Sequence, residues 1–218
     1  MKNIVAFFDM DYTILSESSG MLFMRYLWRQ GDVSPGAMLR AYWYAFVYKL
    51  GALDYPEMAA RLASTVAERS ESETKALCQR WFDEMGVHYI AENAVRRMEQ
   101  HRAQGHLVTI ISASTPGVVG PVALHLGVED YLCTRLEVID GSFTGRIIEP
   151  ACYAAGKVHW AEQYAIGHGA NLGEAHFYSD GYSDLPLLEV VGHPVAVNPD
   201  RRLLALAQVR GWPIERFH

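Results

Sequence analysis

The stretch AFFDMDYTIL, Ala6 to Leu15, decides how this chain is read, because an apolar run stops abruptly at two carboxylates one residue apart. Ile4, Val5, Ala6, Phe7 and Phe8 have the continuous apolarity of a buried strand. Burying an ionised carboxylate without a partner is costly, so Asp9 and Asp11, with Thr13 close behind, need a reason to be there. Residues two apart on a strand point to the same side. The spacing therefore directs Asp9 and Asp11 toward one site at the strand's carboxyl end, where open α/β sheets bind their ligands. Two acids on one face repel unless a cation lies between them or they share a proton. Magnesium takes oxygen ligands and accepts few from the protein, so the stretch predicts a metal site with one carboxylate free to react. The plainer alternative is that Asp11 and Thr13 are turn residues that end the strand.

Working outward, short apolar runs alternate with helical patterns. The runs are Ile4–Phe8, Leu107–Ser112, His176–Ser179 and Pro194–Val197. Helical spacing appears in Ala94, Val95, Met98 and Arg102 before Gly105, in Val118, Val119, Val122 and Leu126 before Gly127, and in Val158, Ala161, Tyr164 and Ala165 before Gly167. Such alternation predicts an α/β fold, a Rossmann-like parallel sheet sandwiched by helices. Two insertions interrupt it. Residues 16–86 are rich in helical pattern and lack strand signals, which predicts a helical cap inserted after the first strand; residues 1–15 and 87–218 then form the core. Near 132–148, two β-prone arms flank Asp140-Gly141, a strong signal for a small β-hairpin.

The chain has 218 residues, enough for one good core and a smaller second unit. A net charge of −6 weighs against a nucleic-acid partner. Cys78, Cys133 and Cys152 form no CxxC pair and suggest neither zinc nor a disulfide framework, which fits a cytoplasmic setting. No signal peptide is expected at the N-terminus. The apolar stretch Ala41–Tyr48 is far shorter than the ~20 residues that span a bilayer, so no transmembrane segment is expected. The sequence carries no signal of oligomeric state.

Three further stretches end in polar residues where strands or helices meet. VTIISAST closes with Ser112, Ser114 and Thr115 before a helix, and hydroxyls beside free helix N–H groups make an anion site; Thr115 reads equally as an N-cap, whereas Ser112 comes too early for that. Lys157 stands at the start of a helix, where a cation is unfavourable and a phosphate would relieve the mismatch; a solvated surface lysine is the commoner case. In FYSDGYSDLPLL, Asp180 and Asp184 follow a strand around Gly181. Asp184 also reads as an N-cap before Pro186, while Asp180 has no such easy explanation. A second pair of acids would complete a metal cage. His159 reads as a surface residue, and no metal-spaced histidine pair is evident.

Taken in order, Asp9-Met10-Asp11-Tyr12-Thr13, Ser112, Lys157 and Asp180 with Asp184 resemble the four motifs of the haloacid dehalogenase superfamily, in its phosphoserine-phosphatase-like branch. The resemblance runs over nearly the whole chain and implies a Mg2+-dependent phosphomonoester hydrolase. It implies that Asp9 is the nucleophile forming an aspartyl-phosphate, that Asp11 is the general acid and later base, and that Ser112 and Lys157 hold the phosphoryl oxygens. The metal ligands it implies are the Asp9 carboxylate, the Asp11 backbone carbonyl and the Asp180 side chain, with Asp184 orienting metal-bound water. Asp11 favours alkoxide leaving groups, which need a proton. A phosphomutase would use the same acid, and a non-catalytic binding module on this fold is the rival from another class.

The inserted segment carries Phe23, Tyr26, Trp28, Tyr42, Trp43, Tyr44, Phe46, Tyr48 and Tyr55. These read as cap core, as a pocket or peripheral membrane face for a lipid phosphate with Arg40 and Lys49 at its edge, or as a dimer contact. Where the branch holds an amino acid's charges with a Glu and an Arg, Glu17 lies near the matching place and Ser18 occupies it; Arg25, Arg40 and Arg61 all remain open for the second role. The substrate alternatives are lysophosphatidate, phosphatidylglycerophosphate, histidinol phosphate and phosphoserine.

Overall fold

The computed structural model describes residues 3–49 and 55–218. Its elements are β1 (Val5–Phe8), α1 (Ser19–Gln30), α2 (Pro35–Lys49), α3 (Tyr55–Ser64), α4 (Glu71–Glu84), α5 (Glu92–Ala103), β2 (Leu107–Ser112) and α6 (Pro116–His125). There follow β3 (Tyr131–Cys133), β4 (Arg135–Ile139), β5 (Ser142–Ile148), α7 (Ala155–Gly167), β6 (His176–Ser179), α8 (Leu185–Leu188), β7 (His193–Val197), α9 (Arg201–Arg210) and β8 (Ile214–Glu215). A parallel sheet of order β3-β2-β1-β6-β7-β8 forms the centre, and β4 and β5 make a separate antiparallel hairpin. The α/β sandwich expected from the alternating runs is the architecture found.

Strand β1 shows why the runs are apolar throughout. Ala6 and Phe8 face one layer, with Leu22, Tyr26, Trp81, Met98 and Val119 from α1, α4, α5 and α6. Val5 and Phe7 face the other, with Ala161, Leu187, Leu188, Leu203 and Ala207 from α7, α8 and α9. Both faces are covered, so no position can be polar until the strand ends. The three cysteines are free and buried. No helix among the described residues is long and apolar enough to cross a membrane. The side chains of Tyr44, Phe46, Tyr48 and Lys49 lie outside the described set.

The structure corrects two local readings and adds two short strands. Leu132 and Cys133 belong to β3 at the sheet edge rather than to the hairpin, whose arms begin at Arg135. Neither β3 nor β8 carries a pattern of its own, being three and two residues long and recruited by pairing with β2 and β7. Asp9 and Asp11 do not lie on an extended strand. Beyond Phe8 the chain makes a wide turn, Leu15 N–H donating to the Met10 carbonyl at 2.8 Å, with Tyr12 at φ 56°. The two-residue alternation therefore stops at Phe8, and this turn, not strand pleating, aims the two acids.

The hairpin turn demands its sequence. Asp140 and Gly141 have φ values of 50° and 78°, the paired left-handed conformation of the tightest two-residue turn. The Gly141 carbonyl also accepts the Glu71 N–H at 2.9 Å, tying the hairpin to α4. A side chain is disfavoured there by about 1–2 kcal/mol. Gly141→Ala is therefore expected to lower Tm by a few degrees, measured by calorimetry.

Candidate active site

Strand register brings the acids together. Phe8 is level with Ile110 of β2 on one side and Tyr178 of β6 on the other. The Asp9 N–H donates to the Tyr178 carbonyl at 2.9 Å, extending that pairing by one residue. Asp9, Ser112 and Asp180 thus sit at one edge, the carboxyl ends of three adjacent strands.

Lys157 reaches this edge from α7. Its Nζ donates to Asp9 Oδ1 at 2.6 Å and to Asp184 Oδ2 at 2.7 Å. The lysine is 2 % exposed, Asp9 7 % and Asp184 3 %, so the surface-lysine alternative fails. Gly156 makes the approach feasible: a Cβ there would lie 1.9 Å from the Ala151 carbonyl oxygen, and only glycine lets the loop pass that close to the helix start. Asp184 immediately precedes α8 yet makes no capping bond. Its carboxylate turns inward to Lys157 and accepts the Ser179 hydroxyl at 2.6 Å. Thr115 likewise makes no side-chain cap at α6. Ser112 is buried, and its hydroxyl accepts the Ser114 N–H at 3.1 Å.

Asp11 is held differently. Its Oδ1 accepts the Ser19 N–H at 3.0 Å, and the Ser18 hydroxyl lies 3.5 Å from Oδ2. The carboxylate thus occupies the positive end of α1. Burial raises its pKa and the α1 hydrogen bonds oppose the rise.

The electrostatics are unbalanced. Among the described residues, the four carboxylates of Asp9, Asp11, Asp180 and Asp184 have one buried ammonium beside them, Lys157, and it pairs with Asp9 and Asp184 alone. Burial, against the pull of Lys157, pushes Asp9 up to about 7. Burial and then the charges of Asp9 and Asp184 hold Asp180 well above the ordinary carboxylate range. No hydrogen bond or ion pair among the described residues meets the Asp180 carboxylate. Burial works against the Lys157 charge, but Asp184 and Asp9 outweigh it and the ammonium is kept. Oxygen-only donors with surplus negative charge fit a hard divalent cation such as magnesium, which keeps several waters of its own.

The structure therefore brings together Asp9, Asp11, Ser112, Lys157, Asp180 and Asp184, and leaves His159 exposed on α7. It adds residues to which the sequence reading gave no role at this site. Ser179 fixes Asp184. Asn198, at φ 43°, donates from Nδ2 to the Tyr12 carbonyl at 3.1 Å and so pins the turn that carries the first two acids. Tyr55, from α3, donates to the Ala113 carbonyl at 2.5 Å, one residue past Ser112, and stacks on Tyr153 at 4.1 Å. A serine ending a strand is a weak signal, and the other two depend on contacts distant in sequence.

Known proteins resemble this chain over nearly its whole length. The profile of haloacid dehalogenase-like hydrolases matches residues 6–189. A phosphoserine phosphatase of Mycobacterium tuberculosis is 34% identical over 216 residues, 97% of this chain and 70% of that protein. A histidinol-phosphatase of Neisseria meningitidis is 31% identical over 223 residues, covering 100% of each. The crystal structure of a protein of unknown function from Bordetella pertussis superposes with a TM-score of 0.90, at 30% identity and 100% coverage of both chains. The chain belongs to the haloacid dehalogenase-like hydrolases, in the phosphoserine-phosphatase-like branch. Within that branch it is a phosphatase, acting on phosphate monoesters.

The Asp180 charge gives a pH-dependent test. A raised carboxyl favours the protonated form in the folded state. Its stabilising contribution is complete below the unfolded value of 3.8 and declines as pH climbs toward the folded value. In protein stripped of divalent cations, Asp180→Asn is expected to raise Tm at pH 8 and to lose that advantage toward pH 4. Each kcal/mol relieved corresponds to about 2–4 °C, read by thermal melts across pH. A variant less stable than the parent at pH 8 would contradict the unpaired charge.

Proposed function

We propose that this chain is a magnesium-dependent phosphomonoesterase that works through a phosphoaspartate on Asp9, with a small alcohol phosphate as substrate. The observation that carries it is the buried Lys157–Asp9 pair beside an acidic cluster that lacks compensating charge. Lys157 holds Asp9 by Oδ1, leaving Oδ2 to approach phosphorus. The new bond forms between Oδ2 and phosphorus as the bond from phosphorus to the alcohol oxygen breaks. Asp11 gives its proton to the departing oxygen; burial favours the protonated form needed at that moment. In the second step Asp11 takes a proton from water, whose oxygen bonds to phosphorus while the Asp9–phosphorus bond breaks. Ser112 and Lys157 hold the phosphoryl oxygens, where charge must be balanced most closely in the transition state. The Asp9 carboxylate, the Asp11 carbonyl and Asp180 would hold a magnesium ion, which would supply positive charge to those oxygens, and Asp184 would orient its waters.

Residues 16–86 serve in this reading as the cap over the strand ends, and the enzyme works in the cytoplasm. Tyr55, bonded beside Ser112, supports a closed arrangement that suits a small ester. Glu17 and Arg25, 3.8 Å apart and part-exposed, offer opposite charges for an amine and a carboxylate. Both act on the Tyr12 hydroxyl together with Asp11 and Asp180, so the pair borders the acidic cluster. The phosphoserine and histidinol phosphatases among the relatives point to the same substrate class, phosphates of amino alcohols. A lipid phosphate is the second reading, favoured by exposed Leu39, Tyr42, Trp43 and Leu62 on α2 and α3.

The mechanism predicts a leaving-group effect. Asp11→Asn is expected to slow an alkyl phosphate by about 10²–10⁴-fold and p-nitrophenyl phosphate much less, because that phenolate leaves without a proton. Asp9→Asn is expected to abolish turnover of both, and EDTA to suppress the parent enzyme until magnesium is restored. Activity surviving Asp9→Asn would refute the covalent route. Ranking phosphoserine, histidinol phosphate, phosphatidylglycerophosphate and lysophosphatidate by kcat/KM decides between the substrate readings.

A further inference from the structure

At the opposite end of the sheet from the acids lies a group of histidines with no part in phosphate chemistry. Its geometry starts at the end of α5. Gly105, at φ 77°, donates its N–H to the Arg102 carbonyl at 2.9 Å, and His106 donates to the His101 carbonyl at 3.0 Å. These are the two bonds of a left-handed helix stop, in which the first and last residues of the turn are brought side by side. That place usually carries an apolar contact. Here it holds two imidazoles, with His101 Nδ1 and His106 Nδ1 2.8 Å apart. His176, the first residue of β6, closes the group: its ring meets His101 edge-on at 4.6 Å and lies over His106 at 5.7 Å. One ring nitrogen from each of the three lies within 4.8 Å of the others.

We propose that His101, His106 and His176 form a second metal site, for a divalent transition-metal ion of the imidazole-preferring class, with zinc as its representative. Three histidines and a solvent ligand are a standard zinc donor set, and imidazole suits zinc, copper and nickel where carboxylates suit magnesium. The outer contacts are already in place. His101 keeps Nε2 on the Tyr178 hydroxyl at 2.9 Å, which fixes the ring and leaves Nδ1 for the ion, as the partners of metal-bound histidines commonly do. With His101 Nε2–H donating to that hydroxyl, the proton between the facing Nδ1 atoms belongs to His106, and binding of the ion shifts it to His106 Nε2, so both rings stay neutral. His193, opposite His176 on β7, stacks on it at 4.4 Å and holds its plane. The nearby Arg97 does not impose a bare positive charge, since Glu215 meets it at 2.7 Å. Burial, then the adjacent imidazoles, push His101 down to about 3; burial, then His193 and His106, push His176 down to about 4. Both rings therefore carry lone pairs at neutral pH. Access is available: His106 and His176 are half-buried, and a cavity of about 380 Å³ lined by His176, His193, Pro194, Trp212 and Pro213 borders the group. In the sequence this site was invisible, because positions 101, 106 and 176 match no ligand spacing and meet only through the fold.

Tag-free protein, stripped with EDTA and dialysed against zinc in excess magnesium, tests this by metal analysis. Retention of about one zinc per chain is expected in the parent and in Asp180→Asn, and loss of it in His106→Ala and His176→Ala with magnesium-dependent phosphatase turnover intact. Tyr178→Phe is expected to weaken zinc by about 10–100-fold. Cobalt in place of zinc is expected to give the intense visible bands of a tetrahedral nitrogen site. Zinc absent from the parent, equal in the histidine variants, or lost with Asp180→Asn overturns the proposal. His106→Ala, at a half-buried helix end, carries the test if His176→Ala does not fold.

Discussion

A buried ammonium shared by two carboxylates is the interaction on which the rest of the site depends. Lys157 is removed from water, and an ion so placed costs several kcal/mol unless its charge is met at close range. Asp9 and Asp184 meet it at 2.6 and 2.7 Å. The three residues come from the end of β1, the first turn of α7 and the entry to α8, so one charge interaction fastens three distant segments of chain. The flanking geometry serves it: Gly156 admits the helix start, and Ser179 holds the second oxygen-bearing arm of the pair. Because Lys157 is spent on Asp9 and Asp184, nothing among the described residues neutralises Asp180, and the edge keeps a surplus of negative charge that a cation can use.

The fold was largely legible because its signal is local. A parallel strand covered on both faces is apolar wherever a side chain has no polar partner; VAFF and LVTIIS announce themselves, the one polar residue inside them, Thr109, donating to the Asp130 carbonyl at 2.6 Å. Helix stops at Gly105 and Gly127 did so too, through left-handed backbone that favours glycine. Strands β3 and β8 are different. They are too short to carry a period, and pairing with β2 and β7 alone makes them strands.

The site was legible for residue types and illegible for their reasons. Asp9 and Asp11 reach the same cluster, but through a wide turn pinned by Asn198 rather than through strand alternation. Local preference misled at two cap positions: Thr115 caps nothing, and Asp184 is drawn away by a stronger tertiary charge. A free N-cap contributes about 1 kcal/mol, less than a buried ammonium requires, so Asp184 turns inward. The roles of Ser179, Asn198 and Tyr55 rest on partners far away in sequence, where no pattern along the chain can register them.

Strand β6 joins two chemically opposite ends of one sheet. Its first residue, His176, belongs to a group of borderline nitrogen donors, and its last residue, Ser179 with Asp180 beyond, borders hard oxygen donors. Between them Tyr178 packs flat against Phe8 at 4.5 Å and accepts its place from His101, so the two ends are held at a fixed separation by packed aromatic rings. Hard and borderline cations sort themselves by such donor chemistry. A magnesium ion gains little from imidazole and stays with the carboxylates, while neutral imidazoles attract zinc without offering the charge that magnesium needs. On the two proposals made above, the same parallel sheet would serve two cations at once, because its ends are lined by different atoms.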